Sequence, residues 1–218
     1  MKNETEQKHT HGSGTDAERP VLADDRSADA REGERKDPVR RRITTAKLAK
    51  MAMMVAITVV FSFIHFPILP MAPFLEYEVS DLPILVSGFV FGPASGLGVC
   101  VVSILLHDLI IGPASGPYGM IMHIIAAGVS VLVSALIYKR KKTRKGALIA
   151  LIAGGVSMIA VMIPANLIFT PLFMTVPVAA VQSMLIPVIL PFNALKAAIN
   201  TVVVFFLYKR VSRFLHRW

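Results

Sequence analysis

A group of polar side chains lies inside an otherwise apolar segment near the end of the chain. Asn193, Lys196 and Asn200 are spaced three and four residues apart, so a helix would place them on one face. We call these three residues the polar stripe. A lysine at the bilayer centre costs roughly 2.5–3.5 kcal/mol on insertion scales. Lys196 therefore either extends to the outer surface or, as the flanking asparagines favour, faces a binding site.

Further polar residues interrupt the apolar segments elsewhere. Asn166 follows Pro164 and either bridges two helices or contacts a ligand. His123 is expected near the outer end of a span, where it is a candidate ligand contact. His107 and Asp108 are adjacent, so we expect them to point in different directions on a helix. No third residue at metal-ligand spacing accompanies them, and we expect no metal site but a pocket shared by Asn166 and the polar stripe.

The composition indicates that the elements positioning these residues cross a membrane. Of the 218 residues, 54% are hydrophobic and only 17% are charged, against about 25% in soluble domains. Runs without a charged residue cover 51–75, 82–107, 109–138 and 146–195. Each run exceeds the roughly 18 residues typical of a membrane-spanning helix. The composition excludes a soluble enzyme and predicts an integral membrane protein.

The amino-terminal segment differs from the rest of the chain. Residues 1–42 contain ten acidic and ten basic residues and almost no branched apolar or aromatic ones, which is typical of disorder. We predict a disordered charged tail at 1–42 and a membrane domain at 43–218. The single Cys100 lies in an apolar run, so no disulfide framework is expected.

Clusters of basic residues predict the number of spans. They lie at 40–50, 139–145 and 209–213, at the ends of apolar segments, where they indicate cytoplasmic loops rather than a nucleic-acid surface. An even number of crossings must separate each pair. We predict one span at 46–66, three between 79 and 138, separated at two Gly-Pro pairs, and two between 147 and 208. The predicted fold class is an all-α integral membrane protein with six transmembrane helices and cytoplasmic termini.

The outer connections are then expected at 67–78, 112–117 and 171–186. The first contains three prolines, so it is too interrupted to be helical. It is also unusually apolar for a loop in water, and we expect it to fold onto the ends of the helices.

The first span has a face of small residues. Ala49, Ala52 and Ala56 share one side of the predicted helix, and small residues at this spacing allow a second helix to approach closely. That helix belongs either to the same bundle or to a partner.

The sequence has no Gly-x-x-x-x-Gly-Lys-Ser/Thr motif, His-Glu-x-x-His motif or Gly-x-Ser-x-Gly motif. ATP-driven transport would therefore require an ATPase from another subunit.

Three sequence features resemble a known family. LPMAPFLEY at 69–77, followed by SDLP at 80–83, resembles the first-loop signature of substrate-binding S components of energy-coupling factor (ECF) transporters, and especially of their riboflavin-specific members. LPFN at 190–193 followed by Lys196 resembles their last-span signature, and Asn166 matches an asparagine of their fifth span. The resemblance covers residues 44–215.

The resemblance implies a multi-pass protein of the bacterial cell membrane with six helices and cytoplasmic termini. It implies capture of riboflavin, as transported substrate and not as cofactor, in a pocket under the first loop. Release inside would require a membrane-embedded coupling subunit and two cytoplasmic ABC-type ATPase subunits. The coupling subunit would contact Ala52 and Ala56 in the first span, with Ala49 on the same face.

The resemblance also implies which residues bind riboflavin. Asn166, Asn193 and Lys196 match the polar positions, and asparagine and lysine can bond the imide edge and the ribityl hydroxyls. His123 is a further candidate, although an asparagine is expected at that position. The apolar ring faces would be covered by residues of the first loop, namely Leu69, Met71, Phe74 and Leu75.

Two alternative functions remain open at this point. His123 leaves open the same fold with another vitamin or flavin as substrate. An ion-coupled secondary transporter needs acidic or other coupling groups within the membrane, for which Asp108 alone is thin support. A membrane enzyme would need clustered carboxylates or a nucleophile with its base, which the sequence does not contain.

Overall fold

The computed structural model describes residues 44–112 and 116–215, with side chains described except at 208, 209 and 211–215. The predicted tail at 1–42 lies outside the described residues. The elements in chain order are α1 (Thr45–Ser62), β1 (His65–Pro67), β2 (Glu76–Glu78), α2 (Asp81–Phe91), α3 (Pro93–Ile111), α4 (Gly116–Arg140), α5 (Arg144–Met174), α6 (Val178–Met184), a π-helical turn (Leu185–Ile189) and α7 (Leu190–Leu215).

Five helical segments in the described residues are long and apolar enough to cross a membrane. They are α1, α3, α4, α5 and the continuous segment Val178–Leu207. Helix α2 is apolar but has only 11 residues, which is about 16 Å at 1.5 Å per residue and about half of the hydrocarbon thickness. The protein is therefore an all-helical membrane protein with five candidate spans and one shorter apolar helix.

The helix breaks predicted between 79 and 138 are confirmed. Gly92 ends α2 with φ of 92° and Gly112 ends α3 with φ of 83°, a region of backbone conformation that favours glycine. Each is followed by a proline, and Pro93 occupies the first position of α3, where its missing N–H costs no helical hydrogen bond.

The first outer connection is non-helical, as predicted, but it contains a small antiparallel hairpin. Helix α1 ends at Ser62 and not at 66, because the chain turns into β1, which pairs with β2 in the register Phe66 to Tyr77. Ala72 and Tyr77 are 0% and 3% exposed, so the loop packs onto the bundle as expected. The strands have three residues each, too few to give a recognisable alternating pattern.

The third outer connection was predicted too long. Helices occupy most of 171–186 and leave only 175–177 between α5 and α6. Pro164 and Pro171 lie inside α5, and Pro187 lies in the π-helical turn. Membrane helices tolerate such prolines, since neighbouring groups and local π adjustments satisfy the backbone groups that they leave unbonded. Proline was therefore a poor guide to the ends of these helices.

Small residues bring three helices together around the site. A Cβ atom at Gly154 would overlap Ser134 Oγ of α4, and one at Gly155 would lie 2.9 Å from Ala197 Cβ of α7. Since only glycine allows this approach, α5 packs directly against the helices that carry His123 and Lys196.

Candidate ligand-binding site

A cavity of about 210 Å³ lies between the first loop and helices α3, α4, α5 and α7. Its wall combines apolar side chains with a few polar groups, the usual composition of a small-molecule site. The apolar lining includes Phe74, Leu75, Met120, Met122, Met162, Phe173 and Phe192.

The four polar residues predicted as ligand contacts all line this cavity. They are Asn166 of α5, Asn193 and Lys196 of α7, and His123 of α4. The two asparagines and the lysine are at most 7% exposed. The structure thus brings together side chains from three helices that the sequence singled out separately.

Lys196 does not extend to the outer surface. Its Nζ lies 3.0 Å from Oδ2 of Asp81, and Asp81 is itself only 3% exposed. Of the two interpretations of the polar stripe, the structure therefore excludes the surface lysine. A buried lysine paired with a carboxylate at a cavity wall is in the arrangement expected of a functional intramembrane charge.

Asp81 is the site residue that sequence reasoning missed. Its Oδ1 lies 3.0 Å from His123 Nε2, and its Oδ2 accepts a hydrogen bond of 3.0 Å from Asn200 Nδ2. The carboxylate therefore joins α2 to both α4 and α7. The available signal was its rarity, because only four acidic residues follow residue 42.

His123 lies between two carboxylates. Its Nδ1 is 3.3 Å from Glu78 Oε1 and its Nε2 is 3.0 Å from Asp81 Oδ1. An imidazolium ion has two N–H donors, so the position of the ring between two carboxylates favours its protonated form. In that form, His123 and Lys196 balance the charges of the two carboxylates. We call Glu78, Asp81, His123 and Lys196 the charge cluster.

The polar stripe divides into two parts. Asn193 and Lys196 line the cavity, whereas Asn200 lies outside its lining and bonds to the loop. Tyr77 donates a hydrogen bond of 2.8 Å from its hydroxyl to Asn200 Oδ1. Burial and the Asp81 carboxylate raise the pKa of the Tyr77 hydroxyl, so that it remains a donor at physiological pH. This bond attaches the first loop to α7.

The two cavity asparagines differ in whether their side-chain oxygen already accepts a hydrogen bond. Asn166 donates to Met162 O and accepts from Thr170 Oγ1 at 3.0 Å. Asn193 donates to Ile189 O at 2.9 Å, and its Oδ1 has no donor in the described part of the chain. The Asn193 carbonyl oxygen is thus available to accept a hydrogen bond from a ligand.

The four loop residues predicted to cover a ligand ring do not all reach the cavity. Phe74 and Leu75 line it, whereas Leu69 and Met71 do not, and Met71 is 72% exposed. Backbone bonds from Ala72 N to Leu69 O and from Leu75 N to Ala72 O form consecutive turns. These turns direct Ala72 inward and Met71 outward, an alternation that the apolar sequence alone does not reveal.

His107 and Asp108 both line the cavity. The expectation that they point in different directions was wrong, because His107 Nδ1 lies 3.0 Å from Asp108 Oδ1. The flexible side chains close the angle between adjacent helix positions. Among residues 44–112 and 116–215, no group of three or more His, Cys, Asp or Glu side chains has an arrangement that could hold a metal ion.

Comparison with known proteins identifies the family. Residues 46–208 match the family model described as the ECF transporter, substrate-specific component. The chain belongs to this family. It is an S component, a multi-pass protein of the bacterial cell membrane.

Relatives of this S component carry informative names. The riboflavin transporter RibU of Staphylococcus aureus (strain TCH60) is 34% identical over 179 residues, which cover 78% of this chain and 93% of that protein. The riboflavin transporter FmnP of Bacillus subtilis (strain 168) is 27% identical over 165 residues, 72% of this chain and 87% of that protein.

A solved structure has the same fold as this S component. It is described as the S component of a bacterial ECF transporter, and it aligns with a TM-score of 0.67 and 32% identity. The alignment covers 77% of this chain and 96% of that one.

The alanine face of this S component lies on the surface of the bundle. Ala49, Ala52 and Ala56 are all exposed, while Met54 and Thr58 on the opposite side of α1 are buried. Packing within the bundle therefore does not account for the three alanines.

Proposed function

We propose that this S component captures riboflavin outside the cell for uptake driven by partner ATPases. The observation that carries the proposal is the cavity in which the buried side chains of Asn166, Asn193 and Lys196 meet among aromatic and methionine side chains. The relatives named riboflavin transporters support it, since the S. aureus protein aligns over 93% of its length.

The polar groups of the cavity suit the imide edge of the isoalloxazine ring. That edge presents an N–H donor between two carbonyl acceptors. The free Oδ1 of Asn193 accepts from the N–H, and the Lys196 ammonium donates to a carbonyl oxygen or a ribityl hydroxyl. The apolar lining then covers the two faces of the ring, with aromatic stacking and methionine contacts.

We further propose six spans, with the short apolar helix α2 as the sixth, both termini in the cytoplasm and the cavity facing outward. The basic residues 139–145 follow the end of α4, whereas Gly119 and His123 at its opposite end line the cavity. Helix α4 has 25 residues, about 38 Å at 1.5 Å per residue, so its two ends lie on opposite sides of a bilayer. Positive residues face the cytoplasm, which supports an outward-facing cavity.

The energy for uptake is proposed to come from other subunits, because the sequence contains no phosphate-binding loop. A membrane-embedded coupling subunit and two cytoplasmic ABC-type ATPase subunits would complete the transporter. The exposed alanine face of α1 is the proposed contact with the coupling subunit, since small residues permit close packing between membrane helices.

A direct binding measurement tests the riboflavin assignment. The full chain, purified in detergent, is expected to quench riboflavin fluorescence with one ligand per chain and a submicromolar dissociation constant. Thiamine and biotin, titrated by competition, are expected not to displace riboflavin. No quenching by folded protein at micromolar riboflavin would overturn the assignment, and a different vitamin that binds in the same cavity would replace it.

Enlarging the alanine face is expected to block uptake without affecting capture. In the variant Ala52→Leu/Ala56→Leu, the added side chains would separate α1 from a partner helix. Riboflavin uptake by cells that contain the coupling module should fall at least about tenfold, corresponding to about 1.4 kcal/mol of association energy. Riboflavin affinity of the purified variant should not change.

The matched control for this experiment is Ala160→Leu, since Ala160 is exposed on α5, outside the alanine face. Its uptake is expected to equal that of the wild type. Equal uptake by the α1 variant and this control would contradict the proposed coupling surface.

A further inference from the structure

Asp81 lies behind the cavity wall and does not form part of it. It is absent from the cavity lining, whereas Lys196 and His123, which its carboxylate contacts, both belong to that lining. Any effect of Asp81 on a bound ligand must therefore pass through another side chain.

The Asp81 carboxylate is held by two side chains besides Lys196. His123 contacts Oδ1, while Asn200 donates to Oδ2, each at 3.0 Å. Asn200 is in turn held by the Tyr77 hydroxyl at 2.8 Å. Contacts from α4 and α7 thus hold the carboxylate, which presents a positioned acceptor to Lys196.

Lys196 depends on this acceptor for its own position. Its ammonium group has three N–H donors on a flexible four-carbon stem, and Asp81 Oδ2 at 3.0 Å is its only paired acceptor in the part of the chain that the structure describes. The contact restricts the stem and leaves two donors for a ligand. An ammonium positioned before the ligand arrives loses less conformational freedom on binding.

His123 does not share this role. Its Nε2 lies 3.0 Å from Asp81 Oδ1 and its Nδ1 lies 3.3 Å from Glu78 Oε1, so both ring nitrogens face carboxylates and not Lys196. It supports Asp81 instead.

We propose that Asp81 is a positioning residue that raises ligand affinity by holding the Lys196 ammonium at the cavity wall. The proposal rests on the proposed function, because riboflavin is the ligand with which affinity is measured.

A double-mutant cycle in riboflavin affinity tests this role. The full-chain variants Asp81→Asn, Lys196→Met and the double variant are purified and titrated with riboflavin below their melting temperatures. Asp81→Asn is expected to weaken binding at least about tenfold in the wild-type background, the range for a hydrogen bond to a charged group. In the Lys196→Met background, the same substitution should weaken binding less than about twofold, because no ammonium remains to be positioned.

A merely structural role for Asp81 would not produce this pattern. If its substitution only loosened the cavity, the loss would be the same in both backgrounds, and that result would overturn the proposal. No loss in the wild-type background would also overturn it. If Asp81→Asn alone does not fold, the comparison between Lys196→Met and the double variant decides: equal affinities support the proposal, and a further loss overturns it.

The matched control is Thr170→Val combined with Lys196→Met. Thr170 lines the same cavity but bonds to Asn166, so the effect of Thr170→Val on affinity should be the same in both backgrounds.

The outcomes also separate this proposal from the riboflavin assignment. Failure of the wild type to bind riboflavin concerns the assignment, whereas additive losses in a protein that binds riboflavin concern Asp81 alone.

Discussion

Replacing Lys196 with methionine is expected to destabilise the ligand-free protein by about 3–5 kcal/mol, because it removes one partner of a buried ion pair. Methionine has a similar length and fills the same volume, but Asp81 loses the ammonium that now lies 3.0 Å from its Oδ2. For a protein of this size the loss corresponds to a fall in melting temperature of roughly 6–20 °C. Thermal unfolding in detergent without riboflavin measures it.

The neutral pair Asp81→Asn/Lys196→Met is expected to recover more than half of this loss, since it removes the uncompensated carboxylate together with the ammonium. The control Lys142→Met makes the same substitution at an exposed position and should change stability by less than about 0.5 kcal/mol. A melting temperature for Lys196→Met equal to that of Lys142→Met would show that the pair is not buried in solution.

The second large effect is expected in ligand binding, where Asn193→Leu should weaken riboflavin affinity about 10- to 100-fold. Leucine has nearly the same shape but lacks the Oδ1 of this cavity-lining residue, which accepts no hydrogen bond within the described part of the chain. The imide N–H of the ligand would then be buried without an acceptor, which costs about 1–3 kcal/mol. Fluorescence titration of the purified variant measures the change.

Riboflavin methylated at the imide nitrogen tests whether the imide N–H donates its hydrogen bond to Asn193. This analogue should bind the wild type as weakly as riboflavin binds Asn193→Leu, and the variant should no longer distinguish the two ligands. Thr201→Val serves as the control, because it removes one polar group from the same helix outside the cavity lining. If methylation weakened binding to Asn193→Leu as much as to the wild type, Asn193 would not be the acceptor.

The membrane class and most of the helix boundaries followed from properties of neighbouring residues. Hydropathy summed over 20 residues decides whether a segment enters a bilayer, and it does not depend on how segments pack. The Gly-Pro pairs at 92–93 and 112–113 end helices for equally local reasons, the positive φ of glycine and the missing N–H of proline. The candidate contacts Asn166, Asn193 and Lys196 were also visible, because each interrupts an apolar run.

Prediction from neighbouring residues in the sequence failed where contacts with other parts of the fold determined the local structure. Pro171 marked the start of the connection predicted at 171–186, yet it lies within α5. In the first loop, Leu69 and Met71 are as apolar as Phe74, and only the turns around Ala72 determine which of them reach the cavity.

The role of Asp81 was decided entirely by the tertiary structure. The amino-acid sequence by itself determined a membrane-embedded S component with three polar groups suited to a vitamin. Packing of α2 against α4 and α7 determined that Lys196 meets Asp81, and that His123 lies between two carboxylates. The physical reason is that ion pairs between helices act over a few ångströms, and the sequence does not specify which distant helix faces come that close.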